Sequence, residues 1–199
     1  MVDRNPDKTR LAILNAAFDE INQHGFQAAS LARIIKETNV TKGALYHHFP
    51  SKLDMGYAVV DELVAENVKE MWITPLQGAD NIIDSLLSRI DYAINKRDDE
   101  NICFGCPVNN LAQEMSPIDE GFRERLNSIF DLWRKTIDDG LVQGQEKGIV
   151  KKSINTDATA YFIVAAIEGA TSLAKNAKCV EVLKTSLQGL KEHIETLRT

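Results

Sequence analysis

The chain has 199 residues, 44% of them hydrophobic and 26% charged, a composition that excludes disorder as its main state. No apolar run approaches the roughly 20 residues of a membrane span, and the opening MVDRNPDKTR lacks the apolar core of a secretory signal. Three cysteines are too few for a disulfide framework, so a cytoplasmic protein with reduced thiols and no membrane partner is expected.

The net charge of −6 is unevenly placed, since residues 1–52 carry +2 and the remainder −8. A mildly basic front on an acidic body fits a small nucleic-acid-reading module joined to a body with another task. The five prolines, at 6, 50, 75, 107 and 117, fall between segments of helical periodicity and never inside one. No sustained alternation of apolar and polar residues marks a strand. The expected fold is all-α with about nine helices.

Leu11, Leu14, Phe18 and Ile21 lie on one stripe, which predicts a first helix over 7–24 stopped by Gly25. Ser30 is placed to cap a short second helix with Leu31, Ile34 and Ile35 inward, ending near Thr38-Asn39. Thr41 is placed to cap a third, TKGALYHHF, whose Leu45 and Phe49 share a face. Ser51 is placed to cap a fourth through Met55, Val59 and Leu63 toward Met71. Two short helices joined by a tight turn read as a helix-turn-helix. The chain then divides into a helix-turn-helix domain over 1–52, with helix 4 from about 51 as the link, and a longer helical body over 53–199.

Beyond Pro75 the helices lengthen. Residues 79–97 carry Ile82, Ile83, Leu86, Leu87, Ile90 and Ile94, and 107–115 is short. The stretch 118–143 carries Ile118, Phe122, Leu126, Ile129, Phe130, Trp133, Ile137 and Leu141. The last two helices are expected over 156–176 and 179–197.

The stretch GFQAASLARIIKETNVTKGALYHHFPSK, and most specifically TKGALYHHFPSK, closely resembles the N-terminal domain of the tetracycline-repressor (TetR) family of bacterial transcription regulators. The resemblance implies a homodimer that binds double-stranded operator DNA through helices 1 to 3 and receives a small-molecule effector in its body. A groove-facing helix needs small side chains where bases are near and polar ones where phosphates pass, and Thr41, Lys42, Gly43 and Ala44 form such a start. Tyr46 and His47 follow on the same side. By resemblance these residues, with Ser30 and Arg33 of the second helix, meet the DNA, and Lys52 clamps a further phosphate. Without DNA, the same stretch would be a capped surface helix over an aromatic cluster. Asn39 stands where the family has Gly, Thr38 replaces a usual Ala and Ile35 a usual small residue, three departures that bear on the angle between helices 2 and 3.

In the body, Trp72, Tyr92, Phe104, Met115, Phe122, Phe130, Trp133 and Tyr161 are either core or the lining of an effector pocket. Cys103 and Cys106 form a C-x-x-C, with Cys106 directly before Pro107 at an expected helix start. A thiolate there is favoured by the free N–H groups of the first turn. GCPVNNL resembles TetR-family repressors that respond to electrophiles and oxidants, in which a lysine lies close to the sensing cysteine; Lys175 holds that position here. The other reading of these thiols is a plain buried helix start.

Phe162, Ala166, Gly169, Ala170 and Leu173 form a small-residue face for a partner helix, and Leu187, Leu190 and Ile194 give the last helix an apolar stripe. These helices are expected to build the dimer interface, the alternative being one intramolecular hairpin. No cofactor and no metal are expected, since Cys103, Cys106 and Cys179 have no fourth ligand in a recognisable spacing. The rival functions are an all-α thiol enzyme using Cys103 and Cys106, which lacks the strand such a motif sits beside, and a DNA-packaging protein without effector. A dimeric repressor released from a palindromic operator by a small effector or by modification of Cys106, and not an enzyme, is the reading the sequence favours.

Overall fold

The computed structural model describes residues 6–199. Among them nine helices follow in order: α1 Pro6–His24, α2 Leu31–Thr38, α3 Lys42–His48, α4 over 52–73, α5 Ile82–Asn95, α6 Pro107–Met115, α7 Glu120–Glu146, α8 Thr156–Ala177 and α9 Val180–Glu195. A 3-10 turn, Ile102–Phe104, precedes α6. The one strand-like feature among the described residues is a single antiparallel bridge between Val150 and Arg198. The all-α expectation holds, and no helix of the described residues is long and apolar enough to cross a membrane.

The start signals act as their positions require. Ser30 Oγ accepts the Arg33 N–H at 3.4 Å, Thr41 Oγ1 accepts the Ala44 N–H at 3.1 Å, and Ser51 Oγ accepts the Asp54 N–H at 3.0 Å. Each bond satisfies a donor that the first turn of a helix leaves open. Asn39, with φ 54°, makes the left-handed turn between α2 and α3, a conformation Asn adopts more readily than other residues with a side chain.

α4 departs from regular geometry twice. It is α-helical over Lys52–Ala58, π-helical over Val59–Val64, α-helical over Ala65–Val68 and π-helical again over Lys69–Ile73. In the wider turns Ala65 N–H bonds Val60 O and Thr74 N–H bonds Lys69 O. Each π turn inserts one residue, so the apolar face steps forward by five instead of four. Val64 is therefore buried where an unbroken α-helical period would bury Leu63, and the helix continues past Met71 to Ile73.

Other expectations are corrected by register. Leu11 is exposed, and the inward face of α1 is Ile13, Leu14, Ala17 and Ile21. Ile118 is exposed in the turn before α7. Leu187, Leu190 and Ile194 are buried within the chain, because α9 packs on both α5 and α8; they are core residues and not a free dimer face.

The chain forms two compact units. One comprises the residues up to Glu66 with Pro107–Asn127, the other Asn67–Cys106 with Ser128–Thr199. The first half of α4, α6 and the start of α7 fall in one compact unit with the three N-terminal helices. In this first unit the cluster Phe26, Tyr57 and Phe122 has ring centroids 4.7 and 5.2 Å apart, closing over Gly56. Trp72 and Trp133 stack at 5.2 Å in the interior of the second.

A Cβ at Gly56 would lie 2.4 Å from Phe26 and 2.8 Å from Phe122, both held in the core, whereas one at Gly43 meets nothing nearer than Thr41 Oγ1 at 3.9 Å. Gly56→Ala should therefore lower unfolding stability by ~1–3 kcal/mol in urea titrations, and Gly43→Ala should leave it within ~1 kcal/mol. Equal stability of the two variants would contradict this packing.

Candidate functional site

α3 is attached by two side chains. Leu45 and Phe49 are buried, while Thr41, Lys42, Gly43, Tyr46 and His47 are exposed and Ala44 is half-buried. The spacing of the two anchors leaves the opposite face of the helix in solvent. Lys42 Nζ lies 5.8 Å from the Tyr46 ring centroid, so the two form one cationic and aromatic patch. With no side chain, Gly43 gives that face its lowest point, and nothing inside the protein requires a glycine there.

The neighbouring elements hold this helix in place. Glu20 of α1 is buried; it accepts the Ser30 N–H at 2.8 Å and the Arg33 Nε at 2.7 and 2.9 Å. The Arg33 bond holds the Glu20 carboxyl below the usual carboxylate range. Arg33 also donates to Ala28 O at 3.2 Å, with its side chain 53% exposed. Ser30 is likewise occupied as a cap. Lys52 Nζ donates to Gln27 O at 3.0 Å and lies 5.0 Å from the Phe26 ring centroid. Of the residues expected at a nucleic acid, these three also bond within the module, while the outer face of α3 is exposed.

Glu114, which the sequence did not single out, joins α6 to the same module. Its carboxylate accepts the N–H groups of Phe26 and Gln27, each at 2.8 Å. Gly25, at φ 81°, presents these donors, and a Cβ there would lie 2.9 Å from the carboxylate. Arg10 pairs with Glu62 in a two-pronged arrangement, one arm at 2.7 Å, tying α1 to α4.

The second unit contains the thiols. Cys106 immediately precedes α6, as expected, and Cys103 donates its S–H to Glu100 O at 2.9 Å. The carboxyl against Cys106 is Glu168 of α8, hydrogen-bonded to the thiol and only 8% exposed. Burial raises this carboxyl to about 7, opposed by the Cys106 bond and by Arg97. Lys175 is half-buried on the same helix, two turns along. A carboxylic residue amid the run AYFIVAAIEGATSLA was the available signal, but its partner lies 62 positions away.

Phe122 and Met115 are core of the first unit, Trp72 and Trp133 core of the second, Phe104 and Phe130 are half-buried, and Tyr92 and Tyr161 are exposed. On α8, Phe162 is 50% and Leu173 60% exposed, with Gly169 between them open on its outer side; Ala166 is half-buried and Ala170 buried.

Comparison with known proteins gives this geometry a family. The model for bacterial regulatory proteins of the tetR family matches residues 13–58, and that for the tetracyclin repressor-like C-terminal domain matches residues 83–190. The chain belongs to the TetR family. A HTH-type transcriptional regulator of Lactococcus lactis, from the region 3' of lacX, is 30% identical over 96% of this chain and 95% of its own. The HTH-type transcriptional repressor DhaR of a Mycobacterium species is 24% identical over 74% of this chain and 73% of its own. Among solved structures, a TetR transcriptional regulator from Chloroflexus aurantiacus superposes with a TM-score of 0.87 at 27% identity, covering 98% of both chains. The chain is a DNA-binding transcriptional regulator of the TetR type, and the exposed α3 is the second helix of its helix-turn-helix.

The raised Glu168 carboxyl of this TetR regulator has a consequence for stability. Its folded-state value lies above the ordinary 4.5, so its contribution is full below pH 4.5 and is lost as the pH rises toward and through about 7. Glu168→Gln, which cannot ionise, should gain on the parent by on the order of 3 kcal/mol between pH 5 and pH 8 in thermal or urea unfolding. A stability difference that stays constant with pH would contradict it.

Proposed function

We propose that this TetR-family regulator is a homodimeric repressor that holds a palindromic operator through two copies of α3 and lets go when a small organic electrophile modifies Cys106. The observation that carries the DNA reading is the exposed Thr41, Lys42, Gly43, Tyr46 and His47 on a helix fixed from behind by Leu45 and Phe49. Two such helices on a twofold axis, spaced by one turn of duplex at roughly 34 Å, fit adjacent major grooves. Repression as the direction of control is supported by the name of the Mycobacterium relative DhaR.

Dimerisation is supported by the outer face of α8. Phe162, Ala166, Gly169 and Leu173 follow at helical spacing, large at the ends and small at the centre, so a second copy approaches closely at Gly169. The apolar area left in solvent on a single chain, including Tyr161 and Phe162, is the kind that obligate dimers cover.

Release is read along the chain. α6 starts at the residue after Cys106, and Glu114 in its last turns holds Phe26 and Gln27 at the turn before α2. A group added to Cys106 acts on the start of the helix whose other end secures the DNA-binding module. Localisation in the cytoplasm and the absence of a cofactor accompany this function.

Mobility shift with a palindromic fragment from the intergenic region beside its own gene tests the reading. Lys42→Ala should weaken binding ~10-fold and lower the salt slope by about one, and Tyr46→Ala should weaken it with the fold intact. Equal affinity of the parent for random duplex would favour DNA packaging instead. N-ethylmaleimide should release the parent complex and the Cys179→Ser complex but not Cys106→Ser; equal release from both variants would place the sensor elsewhere.

A further inference from the structure

Three polar side chains are buried among the described residues, and two are fully explained. Glu20 is occupied by Ser30 and Arg33, and Thr136 donates to Leu132 O at 2.8 Å. Glu168 differs. One of its oxygens meets the Cys106 thiol, while Oε2 is buried with no hydrogen-bond partner. Burying a carboxyl and leaving half of it unpaired is costly, and an apolar residue would fill the space without that cost. The feature that only a carboxylate brings to this position is the capacity to take a proton from sulfur.

We infer that Glu168 is the proton acceptor for Cys106, and that the pair forms a capture site for soft electrophiles of the α,β-unsaturated carbonyl class, with the unpaired Oε2 receiving a donor group of the ligand or the transferred proton. The inference rests on the sensor reading of Cys106 given above. In the reaction, the thiol proton moves to Glu168 as the sulfur electron pair forms a C–S bond to the β-carbon. The electrons of the C=C bond move onto the carbonyl as an enolate, which then takes a proton at its α-carbon from Glu168 or water. The product is a thioether, and neither an oxidant nor a metal is consumed. A buried carboxyl that titrates near neutrality can perform both transfers.

The surroundings leave this role to Glu168. Arg97, beyond the end of α5, is the cation acting on it. Cys103, from the 3-10 turn packed against α8, donates instead to Glu100 O. On α8 itself the ionisable neighbours two turns away are Tyr161, which lies under Arg134 with 4.7 Å to the ring centroid, and the half-buried Lys175. α9 presents Lys184, paired with Glu181 at 3.3 Å, Lys191, paired with Asp91 at 2.6 Å, and His193, 4.9 Å from the Phe162 ring.

The test follows the rate of Cys106 alkylation by N-ethylmaleimide from pH 5.5 to 9 in the full chain, on a Cys103→Ser background, by peptide mass spectrometry. With Glu168 present, the rate should rise with an inflection near 7, before the rise that belongs to free thiolate at about 8.5. Glu168→Gln should be about ten-fold slower at pH 7.5 and keep only the upper inflection, and Glu168→Asp should keep the lower one at reduced rate. A Gln variant that reacts as fast as the parent, or faster, overturns the inference, because a carboxylate that merely repels thiolate would produce that result. DNA release is scored separately by mobility shift. Alkylation with the lower inflection but without release supports the Glu168 role and defeats the sensor reading; release by a parent whose alkylation lacks that inflection does the reverse.

Discussion

Glu20 sits in the interior of the first unit with both oxygens occupied, one by the Ser30 N–H and both by the Arg33 Nε. A buried carboxylate is tolerated only when its lone pairs are taken and an opposite charge is at hand, and here one residue provides each. The bond to Ser30 fixes the N-cap of α2, the bond to Arg33 fixes its first turn, and α2 in turn sets where α3 begins after the left-handed Asn39. The exposed face proposed to meet DNA is thus the outcome of a constraint on the opposite side of the module. Leu45 and Phe49 complete it by holding α3 from beneath.

The same interaction explains which parts of the site were legible in the sequence. Ser30, Thr41 and Ser51 announce helix starts through chemistry confined to the next three residues, and each works as read. Lys42, Gly43, Tyr46 and His47 are legible for the same reason, because the spacing of Leu45 and Phe49 alone turns them outward. Arg33 and Lys52 look identical in sequence to free DNA-facing cations. Their partners, Glu20 and the carbonyl of Gln27, lie 13 and 25 positions away, and no local pattern reveals them. Glu114 and Glu168 are the same case over longer separations.

Periodicity failed where the helix changed its own period. The π turn at Val59–Val64 moves burial from Leu63 to Val64, and no residue type in VVDELV announces it. On α9 the apolar stripe Leu187, Leu190 and Ile194 is covered within the chain, since an amphipathic pattern states that a face is covered without stating by which chain. The face left open on α8 is visible only once that assignment is made. At Glu168 a carboxyl that weakens the folded state toward neutral pH is hydrogen-bonded to the Cys106 thiol.

The central claim is that the outer side of α3, and not another surface of the chain, meets DNA. Amide hydrogen exchange of the full chain, with and without a saturating palindromic promoter duplex, measures it directly. Slowed exchange is expected across residues 41–48, with His47 and its neighbours most protected, and no comparable change across residues 82–95. Unchanged exchange over 41–48 in a sample shown to be bound would contradict it.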